Sequence, residues 1–358
     1  MKKSNRELPS TIGGTPLIRL RNIEKIFALS AAVYAKLEMF NPSGSVKDRA
    51  ALRIVTDAVE RGEICKGTAV IESTSGNMGI SLAMLSCVFG YRSVTVMPRS
   101  ASEERRALIS SYGGEVILTD GGMSEAIRLA EQIKDRVKGA FMTSQFTNRS
   151  GLLAHYDTTA PEIFAQLSQK GGVDILVSGV GTGGTIGGAG QYLKEKNPDA
   201  KVIAVEPAES AVLSYAWGEG RKGAGHSSQG SEGVKGCIDS FMCFSGGRVS
   251  GLDSSSFAGD EKALAYSHGI EGIGAGFVPP LLDLSLIDEV IAAPTSASVE
   301  LCRTLISKEG IFAGVSSGAA LLAAIVMAKR RENKGKNITV ILPDRADRYL
   351  SVVGKTLH

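Results

Sequence analysis

Lys47 is the residue whose surroundings in the sequence most favour chemistry. Pro42 and Gly44 break the chain before it, and Ser43 or Ser45 is expected to cap the helix that it opens. The apolar residues that follow recur on one helical face: Ala50, Ala51, Ile54, Val55 and Ala58. A helix N-terminus and packed walls both disfavour the ammonium form of a lysine. Because an uncharged amine forms Schiff bases, the pattern indicates carbonyl chemistry; the alternative is a solvated lysine in a first helical turn.

A second polar segment, residues 72–79, lies between a predicted strand over residues 69–71 and a predicted helix that begins near Ile80. Backbone N–H groups and hydroxyls at a helix N-terminus bind anions, so this turn is expected to bind a carboxylate. An ordinary helix cap is the alternative. The turn contains more polar side chains than a cap requires: Ser73, Thr74, Ser75 and Asn77.

A glycine-rich segment, residues 179–185, follows the apolar run of residues 175–177. Successive glycines let backbone amides converge on a phosphate, and Thr182 and Thr185 can add hydroxyl donors. The same glycines match a dinucleotide-binding pattern, in which Glu206 stands at about the position of the ribose-binding acid. That interpretation predicts a nicotinamide-dependent oxidoreductase. A Walker-type phosphate loop is excluded, because neither Lys-Ser nor Lys-Thr follows the glycines.

Residues 314–320 open another predicted helix, which Leu321, Leu322, Ile325 and Val326 continue. Ser316 either caps this helix or directs its hydroxyl at the nitrogen of a bound ring. The dinucleotide interpretation uses one of the four segments and leaves Lys47 and Asn77 without a role.

Length and composition favour a soluble globular protein of two domains, with 358 residues, 43% of them hydrophobic and 22% charged. The net charge of +3, with basic and acidic residues interspersed, argues against nucleic-acid binding. No segment approaches the apolar length of a transmembrane helix, and the basic N-terminus lacks the apolar stretch of a secretory signal. Five cysteines without a Cys-x-x-Cys pair favour a reduced, cytoplasmic setting, and no metal-ligand spacing is present.

Strand-like and helix-like runs alternate along most of the chain. Residues 94–96 precede a helix near 103–111, residues 116–118 precede one over 124–138, and residues 338–342 form a late buried strand. This alternation predicts an α/β fold with parallel sheets covered by helices.

Together the four segments resemble those of the fold-type II pyridoxal-phosphate enzymes, and among these the cysteine synthase (O-acetylserine sulfhydrylase) and cystathionine beta-synthase family. The resemblance covers nearly the whole chain; each motif is weak alone, but the ordered set is specific. Further matches follow the family's order: Thr11-Ile12-Gly13-Gly14-Thr15-Pro16-Leu17, Lys36-Leu37-Glu38, Gln145-Phe146, Thr159-Ala160-Pro161-Glu162, Glu206-Pro207-Ala208-Glu209-Ser210 and Gly272-Ile273-Gly274-Ala275-Gly276-Phe277.

The resemblance implies a role for residues of each segment. Lys47 would bind pyridoxal 5'-phosphate covalently and serve as the catalytic base, and Asn77 would hydrogen-bond the 3′ oxygen of its ring. Ser316 would face the pyridine nitrogen; a neutral serine leaves that nitrogen largely unprotonated and favours β-elimination. The phosphate would lie on Gly181, Thr182, Gly183, Gly184 and Thr185, and the substrate α-carboxylate on Thr74, Ser75, Asn77 and Gln145.

The resemblance also implies a two-domain architecture of the tryptophan synthase beta type. A smaller domain, residues 37–152, would move when substrate binds. Residues 13–36 and 153–358 would form a larger cofactor domain, with the active site in the cleft between the two. The implied partners are an amino-acid substrate, a second copy of the chain in a homodimer, and serine acetyltransferase. A nucleic acid, a membrane and a metal are not among them.

The implied reaction is β-replacement on an O-activated L-serine. Its leading form is the reaction of O-acetylserine with sulfide, which gives L-cysteine and acetate. The C-terminal stretch, residues 343–350, reads Pro-Asp-Arg-Ala-Asp-Arg-Tyr-Leu where cysteine synthases commonly read Pro-Ser-Ser-Gly-Glu-Arg-Tyr-Leu. It is similar to the siderophore-pathway N-(2-amino-2-carboxyethyl)-L-glutamate synthases, which join O-phosphoserine to glutamate. The alternatives are therefore an O-phosphoserine-using synthase, with glutamate or sulfide as nucleophile, and a cystathionine beta-synthase.

Arg345 bears on the choice of donor. If it points into the cleft, its guanidinium can bind the phosphate of O-phosphoserine; if it pairs with Asp344 or Asp347, it is structural. An insertion over residues 214–267 is unlike either group of enzymes. Its Gly- and Ser-rich parts predict a loop, either a lid over the active site or a surface elaboration without catalytic role.

Overall fold

The computed structural model describes residues 7–219 and 267–354. Most of the predicted insertion, residues 220–266, lies outside these ranges. Within them strands and helices alternate, and the strands form two sheets in which nearly all neighbours are parallel. The predicted α/β fold with parallel sheets covered by helices is confirmed.

The strands are mostly short runs of apolar and β-branched residues, which favour the extended backbone. In chain order they are β1 Leu17–Arg19, β2 Ala32–Leu37, β3 Ala69–Ser73, β4 Arg92–Pro98, β5 Glu115–Thr119, β6 Phe141–Met142, β7 Ile175–Gly179, β8 Lys201–Pro207, β9 Glu289–Ala293 and β10 Asn337–Leu342.

The α-helices are α1 Arg21–Ile26, α2 Lys47–Glu60, α3 Asn77–Phe89, α4 Glu103–Ser111, α5 Met123–Arg136, α6 Arg149–Ala154, α7 Ala160–Leu167, α8 Gly184–Lys196, α9 Val212–Glu219, α10 Thr295–Thr304, α11 Val315–Lys329 and α12 Leu350–Val353. Two π-helical turns follow α6 and α10, at His155–Thr159 and Leu305–Glu309. Short 3-10 turns are formed at Leu8–Thr11, Glu38–Phe40, Ser168–Lys170, Ala208–Ser210, Leu284–Leu286, Arg331–Asn333 and Ala346–Tyr349.

The larger sheet has the strand order β1-β2-β10-β7-β8-β9, and only β1 runs antiparallel to its neighbour. Its central strands are apolar on both faces, as expected when helices cover a parallel sheet from both sides. Helix α11 covers one face and buries every residue except its last, Lys329. Helices α7 and α8 pack on the other face, against side chains such as Tyr34 and Leu176.

The smaller sheet has the order β5-β4-β3-β6 and is parallel throughout. Helices α2 and α3 pack together beside it around Ile54, Val70 and Leu82, and α5 packs on the opposite face around Val94 and Ala126. The carboxyl ends of β3, β6 and β7 lead into segments that contain predicted site residues: 74–77, Gln145 and 181–185.

Helix α2 begins at Lys47 and buries its apolar face, as the sequence predicts. The predicted serine at the N-cap position is wrong, because Val46 occupies that position; the Ser45 hydroxyl, one residue earlier, accepts a bond of 3.3 Å from the N–H of Lys47. Asp48 reaches back and accepts hydrogen bonds from the backbone N–H of Ser43, at 2.7 Å, and from its hydroxyl. An acidic residue in the first turn thus stabilises the helix start.

A buried ion network ties α2 to the larger sheet. Two residues after Lys47, Arg49 forms ion pairs of 2.7 Å with Glu38 and with Glu162. Lys36 on β2 adds a 2.7 Å pair with Glu162, and the Thr15 hydroxyl donates to Glu38 at 2.7 Å. Two cations and two anions therefore balance one another, and all but the partly exposed Glu162 are buried from water.

No helix in the described ranges is long and apolar enough to cross a membrane.

In the larger half of the fold, α10 and α11 cross at close range. A Cβ at Gly318 would overlap the carbonyl oxygen of Ser298, so the two backbones meet only because Gly318 has no side chain. The start of α11 lies beside the segment that follows β10, because the backbone N–H of Gly314 donates to the carbonyl of Asp344 at 2.9 Å, and Ser316 follows in the first turn of the helix.

We expect Gly318→Ala to destabilise the protein by about 1–3 kcal/mol, because the added methyl forces α10 away from α11. The matched control is Gly151→Ala in α6, where the nearest atoms to a Cβ, on Ala50 and Ile54, are 3.9 Å away. That variant should be neutral or gain up to about 1 kcal/mol from helix propensity. Urea denaturation measures both; equal effects of the two variants would contradict the packing argument.

Candidate active site

The four segments that the sequence singles out surround one cavity of about 250 Å³. It lies beyond the carboxyl ends of strands from both sheets, where Thr74, Gly179 and Pro343 reach its wall. One predicted site residue, Gly184, does not line it. Those that do are Lys47, Thr74, Ser75, Asn77, Gln145, Gly181, Thr182, Gly183, Thr185 and Ser316.

Lys47 reaches the cavity from the first turn of α2. Burial lowers the pKa of its amine, and the carboxylates of Asp344 and Glu72 oppose that effect. Burial dominates, so the uncharged amine is favoured relative to a lysine in water. This agrees with the expectation from the sequence that packed walls would disfavour the ammonium form.

The glycine-rich turn connects β7 to α8. Gly183 occupies the N-cap position with φ +81°, a conformation that L side chains rarely adopt, and a Cβ there would lie 2.9 Å from the Cβ of Leu282. The turn therefore directs backbone N–H groups and the hydroxyls of Thr182 and Thr185 at the cavity from a helix N-terminus. Such an arrangement binds a phosphate or another anion.

His155, to which the sequence assigns no role, lies directly behind this turn. Its Nδ1 is 2.8 Å from the hydroxyl of Thr159, and its Nε2 is 3.2 Å from the hydroxyl of Thr185. Burial lowers the pKa of His155 to about 3, and the guanidinium of Arg49 acts in the same direction. A neutral imidazole thus supports Thr185. A scattered histidine has no motif, so only the fold could reveal this contact.

The turn between β3 and α3 brings Thr74, Ser75 and Asn77 to the cavity, and the segment after β6 adds Gln145. Thr74 accepts a hydrogen bond of 3.1 Å from the N–H of Gly76, and the side chain of Gln145 donates to the Ser73 carbonyl at 3.0 Å. These bonds hold the hydroxyl and amide groups in place at the N-terminus of α3, where a carboxylate is favoured.

Glu72 lies beneath this turn, fully buried at the end of β3. It accepts hydrogen bonds from the hydroxyl of Thr143 and, at 3.1 Å, from the backbone N–H of Gln145. Burial raises the pKa of Glu72 to about 7, and these hydrogen bonds oppose the shift. Glu72 is therefore a support for the segment that carries Gln145.

Three charged residues that the sequence did not assign to the site also line the cavity: Arg105, Glu271 and Asp344. Arg105 forms an ion pair with Glu271. Asp344 is the aspartate that departs from the usual Pro-Ser-Ser-Gly stretch, and that departure was the one sequence signal that could have identified it. Ser316 lines the same cavity from the first turn of α11, with 2% of its surface exposed.

Glu206, the ribose-binding acid of the dinucleotide interpretation, does not line the cavity. Its carboxylate accepts hydrogen bonds from the backbone N–H groups of Leu213 and Ser214, at 2.7 and 2.8 Å, and from the Ser214 hydroxyl at 2.5 Å. Both oxygens therefore stabilise the start of α9. The dinucleotide interpretation of this residue is wrong, because its carboxylate is bound by the first residues of α9 and does not reach the cavity.

Arg345 does not line the cavity either. Its side chain is half exposed and forms a 2.7 Å ion pair with Asp347. Of the two alternatives that the sequence left open, the structural pairing is the one observed.

Comparison with known proteins gives a consistent result over nearly the whole chain. The sequence model of the family described as pyridoxal-phosphate dependent enzyme matches residues 8–344. Cysteine synthase 3 of Caenorhabditis elegans is 39% identical, with 95% of this chain and 87% of that protein covered. The solved structure of cysteine synthase (OASS) from Entamoeba histolytica superposes with a TM-score of 0.78 at 37% identity, over 98% of this chain and 90% of that one.

A solved O-ureido-L-serine synthase is similarly close, with a TM-score of 0.77 at 34% identity, over 97% of this chain and 94% of that one.

The residues around the cavity fit the cofactor of this family. A lysine with a lowered pKa, a glycine-rich helix N-terminus and the hydroxyl of Ser316 lie around a single space. Asn77 lines the same cavity; its side-chain nitrogen donates one hydrogen bond of 2.7 Å to Asp344, and its second N–H is available to a bound ring.

We expect His155→Leu to weaken binding of pyridoxal phosphate about fivefold, or about 1 kcal/mol, because Thr185 loses the partner that orients its hydroxyl. His155→Gln is the matched control, since its amide can still donate to Thr185 and should restore most of the affinity. Titration of the cofactor-free variants with pyridoxal phosphate measures this. Equal affinity of the leucine variant and the wild type would show that His155 only fills space.

Proposed function

Since this chain belongs to the family of pyridoxal-phosphate dependent enzymes, we propose that it converts O-acetylserine and sulfide into L-cysteine and acetate. It is an enzyme that uses pyridoxal phosphate and catalyses β-replacement. One observation carries the proposal: Lys47, with a lowered pKa, shares a cavity with an anion-binding glycine turn and a carboxylate-binding turn. The cysteine synthases among its relatives support the choice of substrates.

When bound, pyridoxal phosphate supplies a conjugated ring that withdraws electrons from the α-carbon of an attached amino acid. We assign its phosphate to Gly181, Thr182, Gly183, Gly184 and Thr185, its ring oxygen to Asn77 and its ring nitrogen to Ser316. A serine hydroxyl, unlike a carboxylate, does not hold a proton on that nitrogen. The site is thereby suited to loss of a group from the β-carbon instead of prolonged storage of negative charge.

Lys47 has two roles in this proposal. Its uncharged amine would hold the cofactor, and in the presence of substrate the same amine would accept the proton of the substrate α-carbon. After the acetate has left the β-carbon and sulfide has added there, the protonated Lys47 returns its proton to the α-carbon. A lowered pKa serves both roles, because the amine must be uncharged to attack a carbonyl and to accept a proton.

The substrate α-carboxylate is assigned to Thr74, Ser75, Asn77 and Gln145, at the N-terminus of α3. Hydroxyl, amide and backbone N–H donors at a helix start stabilise a negative charge. Binding there would fix the amino acid in the cavity that Lys47 also lines. Orientation of this kind contributes to the rate because the reacting groups are held together.

O-acetylserine is favoured over O-phosphoserine as the donor, because the arginine that would recognise a phosphate pairs with Asp347 outside the cavity. Arg105 does line the cavity, but Glu271 neutralises it. O-phosphoserine with glutamate or sulfide, and serine derivatives with homocysteine, remain the alternatives to be compared in the same assay.

We further propose, from the family resemblance, a homodimer that binds serine acetyltransferase and works in the cytoplasm. The free thiols of Cys65 and Cys87, both exposed, fit a reduced compartment. The division into a smaller domain of residues 37–152, mobile on substrate binding, and a larger one of residues 13–36 and 153–358 is part of the same proposal.

Lys47→Ala should abolish the covalent attachment of the cofactor and reduce turnover at least about 10³-fold, since it removes both anchor and base. Borohydride reduction followed by mass spectrometry tests the attachment, and the circular dichroism spectrum tests the fold. A reducible adduct that persists in the folded variant would contradict the assignment of Lys47.

Mixing the holoenzyme with O-acetylserine should change its visible absorption within the mixing time, whereas O-phosphoserine should act far more slowly. Arg345→Ala should leave the ratio of the two rates unchanged, because Arg345 lies outside the cavity. Rapid reaction with O-phosphoserine that is lost in Arg345→Ala would overturn the choice of donor.

A further inference from the structure

Asp344 is a buried carboxylate in the wall of the cavity, with 1% of its surface exposed. Its Oδ2 accepts two hydrogen bonds, one of 2.7 Å from the side-chain nitrogen of Asn77 and one of 2.6 Å from the hydroxyl of Tyr349. Its Oδ1 is buried without a hydrogen-bond partner in the described part of the chain. Burying a carboxylate costs free energy, so we expect Asp344 to contribute to the function of the site.

The hydrogen bonds from Arg105 through Tyr349 to Asp344 form a chain in which every proton is donated toward the carboxylate. Arg105 donates to the Tyr349 hydroxyl at 2.5 Å, and Tyr349 donates its own proton to Asp344. The Arg105 guanidinium also lies over the ring of Tyr349, 4.9 Å from its centre. Since an arginine has no acceptor, the direction of these bonds cannot reverse. Asp344 is therefore held as an acceptor on the side of Tyr349.

The same logic fixes the side chain of Asn77. A carboxylate can only accept hydrogen bonds, so it faces the NH₂ end of an amide and repels the oxygen end. The amide of Asn77 then has one orientation. Its nitrogen faces Asp344, and its oxygen is buried on the opposite side of the amide. The second N–H of that nitrogen stays available to a ligand. A serine, common at this position in cysteine synthases, can donate or accept and would select neither orientation.

We propose that Asp344 is a positioning residue that directs the amide nitrogen of Asn77 at the ring oxygen of pyridoxal phosphate. The inference rests on the proposed role of Asn77 in binding that ring. It gives Asp344 a function in a stretch where this chain departs from the usual cysteine synthase sequence.

Asp344→Asn tests the inference with little change in volume, because an asparagine can face either end of the Asn77 amide. The readouts are the absorption maximum of the bound cofactor and the rate of cofactor release after dilution of the holoenzyme. We expect a shifted maximum and release about three- to tenfold faster, as for neighbouring side chains that act together. Asp344→Ser, which also removes the carboxylate, should move both readouts in the same direction.

A double-mutant cycle separates this role from a general structural one. In an Asn77→Ala background, Asp344→Asn should change release by less than about twofold, because no amide is left to orient. Equal effects in both backgrounds would overturn the inference. The matched control is Arg345→Gln, next in the chain but outside the cavity, which should leave both readouts unchanged; a change equal to that of Asp344→Asn would also overturn it.

The cycle also distinguishes failure of the inference from failure of the proposed site. If Asn77→Ala leaves absorption and release unchanged, Asn77 does not bind the ring. The proposed site assignment of Asn77 and the inference about Asp344 are then both wrong. If Asn77→Ala changes both readouts while Asp344→Asn and Asp344→Ser change neither, the site assignment survives and the inference about Asp344 is wrong.

Discussion

The rest of the site depends on the buried ion network around Arg49. This residue follows Lys47 by two positions, is only 3% exposed, and pairs with Glu38 and Glu162 at 2.7 Å. Removal of one partner from a buried pair costs about 3–5 kcal/mol, because the other charge is left without water. The network therefore holds the first turn of α2 against the larger sheet, although most of α2 packs on the smaller one. The position of Lys47 relative to the glycine-rich turn follows from that constraint.

The network also explains why motifs far from the chemistry accompany the lysine in the sequence. Thr15 and Lys36 belong to two of the short segments that carry the resemblance, and both contribute polar groups to the network. Glu162, from a third, receives Lys36, Arg49 and the backbone N–H of Gly14 at 2.9 Å. These residues touch no part of the cavity. Their effect on function is indirect, through the placement of Lys47.

Local features of the fold and site could be predicted because they depend on neighbours in sequence. The start of α2 at Lys47 and the strand–turn–helix unit around Asn77 follow from apolar periodicity and from the residues of the turn. The roles of Glu206 and Asp344 could not be predicted in this way, and for Arg345 the sequence left two alternatives open. Each depends on which group faces the charged side chain in the folded protein: a helix start for Glu206, Asp347 for Arg345, and the pair of Asn77 and Tyr349 for Asp344.

The glycines of α8 illustrate how one sequence feature serves two physical purposes. In the turn, Gly183 permits the left-handed backbone, with φ +81°, from which α8 begins at the proposed phosphate site. One turn later, Gly188 permits close packing, because a Cβ there would overlap the carbonyl oxygen of Leu152 and press on the side chain of His155 at 3.2 Å. Only this close packing brings His155 within reach of Thr185. The hydroxyl of Thr185 at the proposed phosphate site is thus supported because the helix behind it is also rich in glycine.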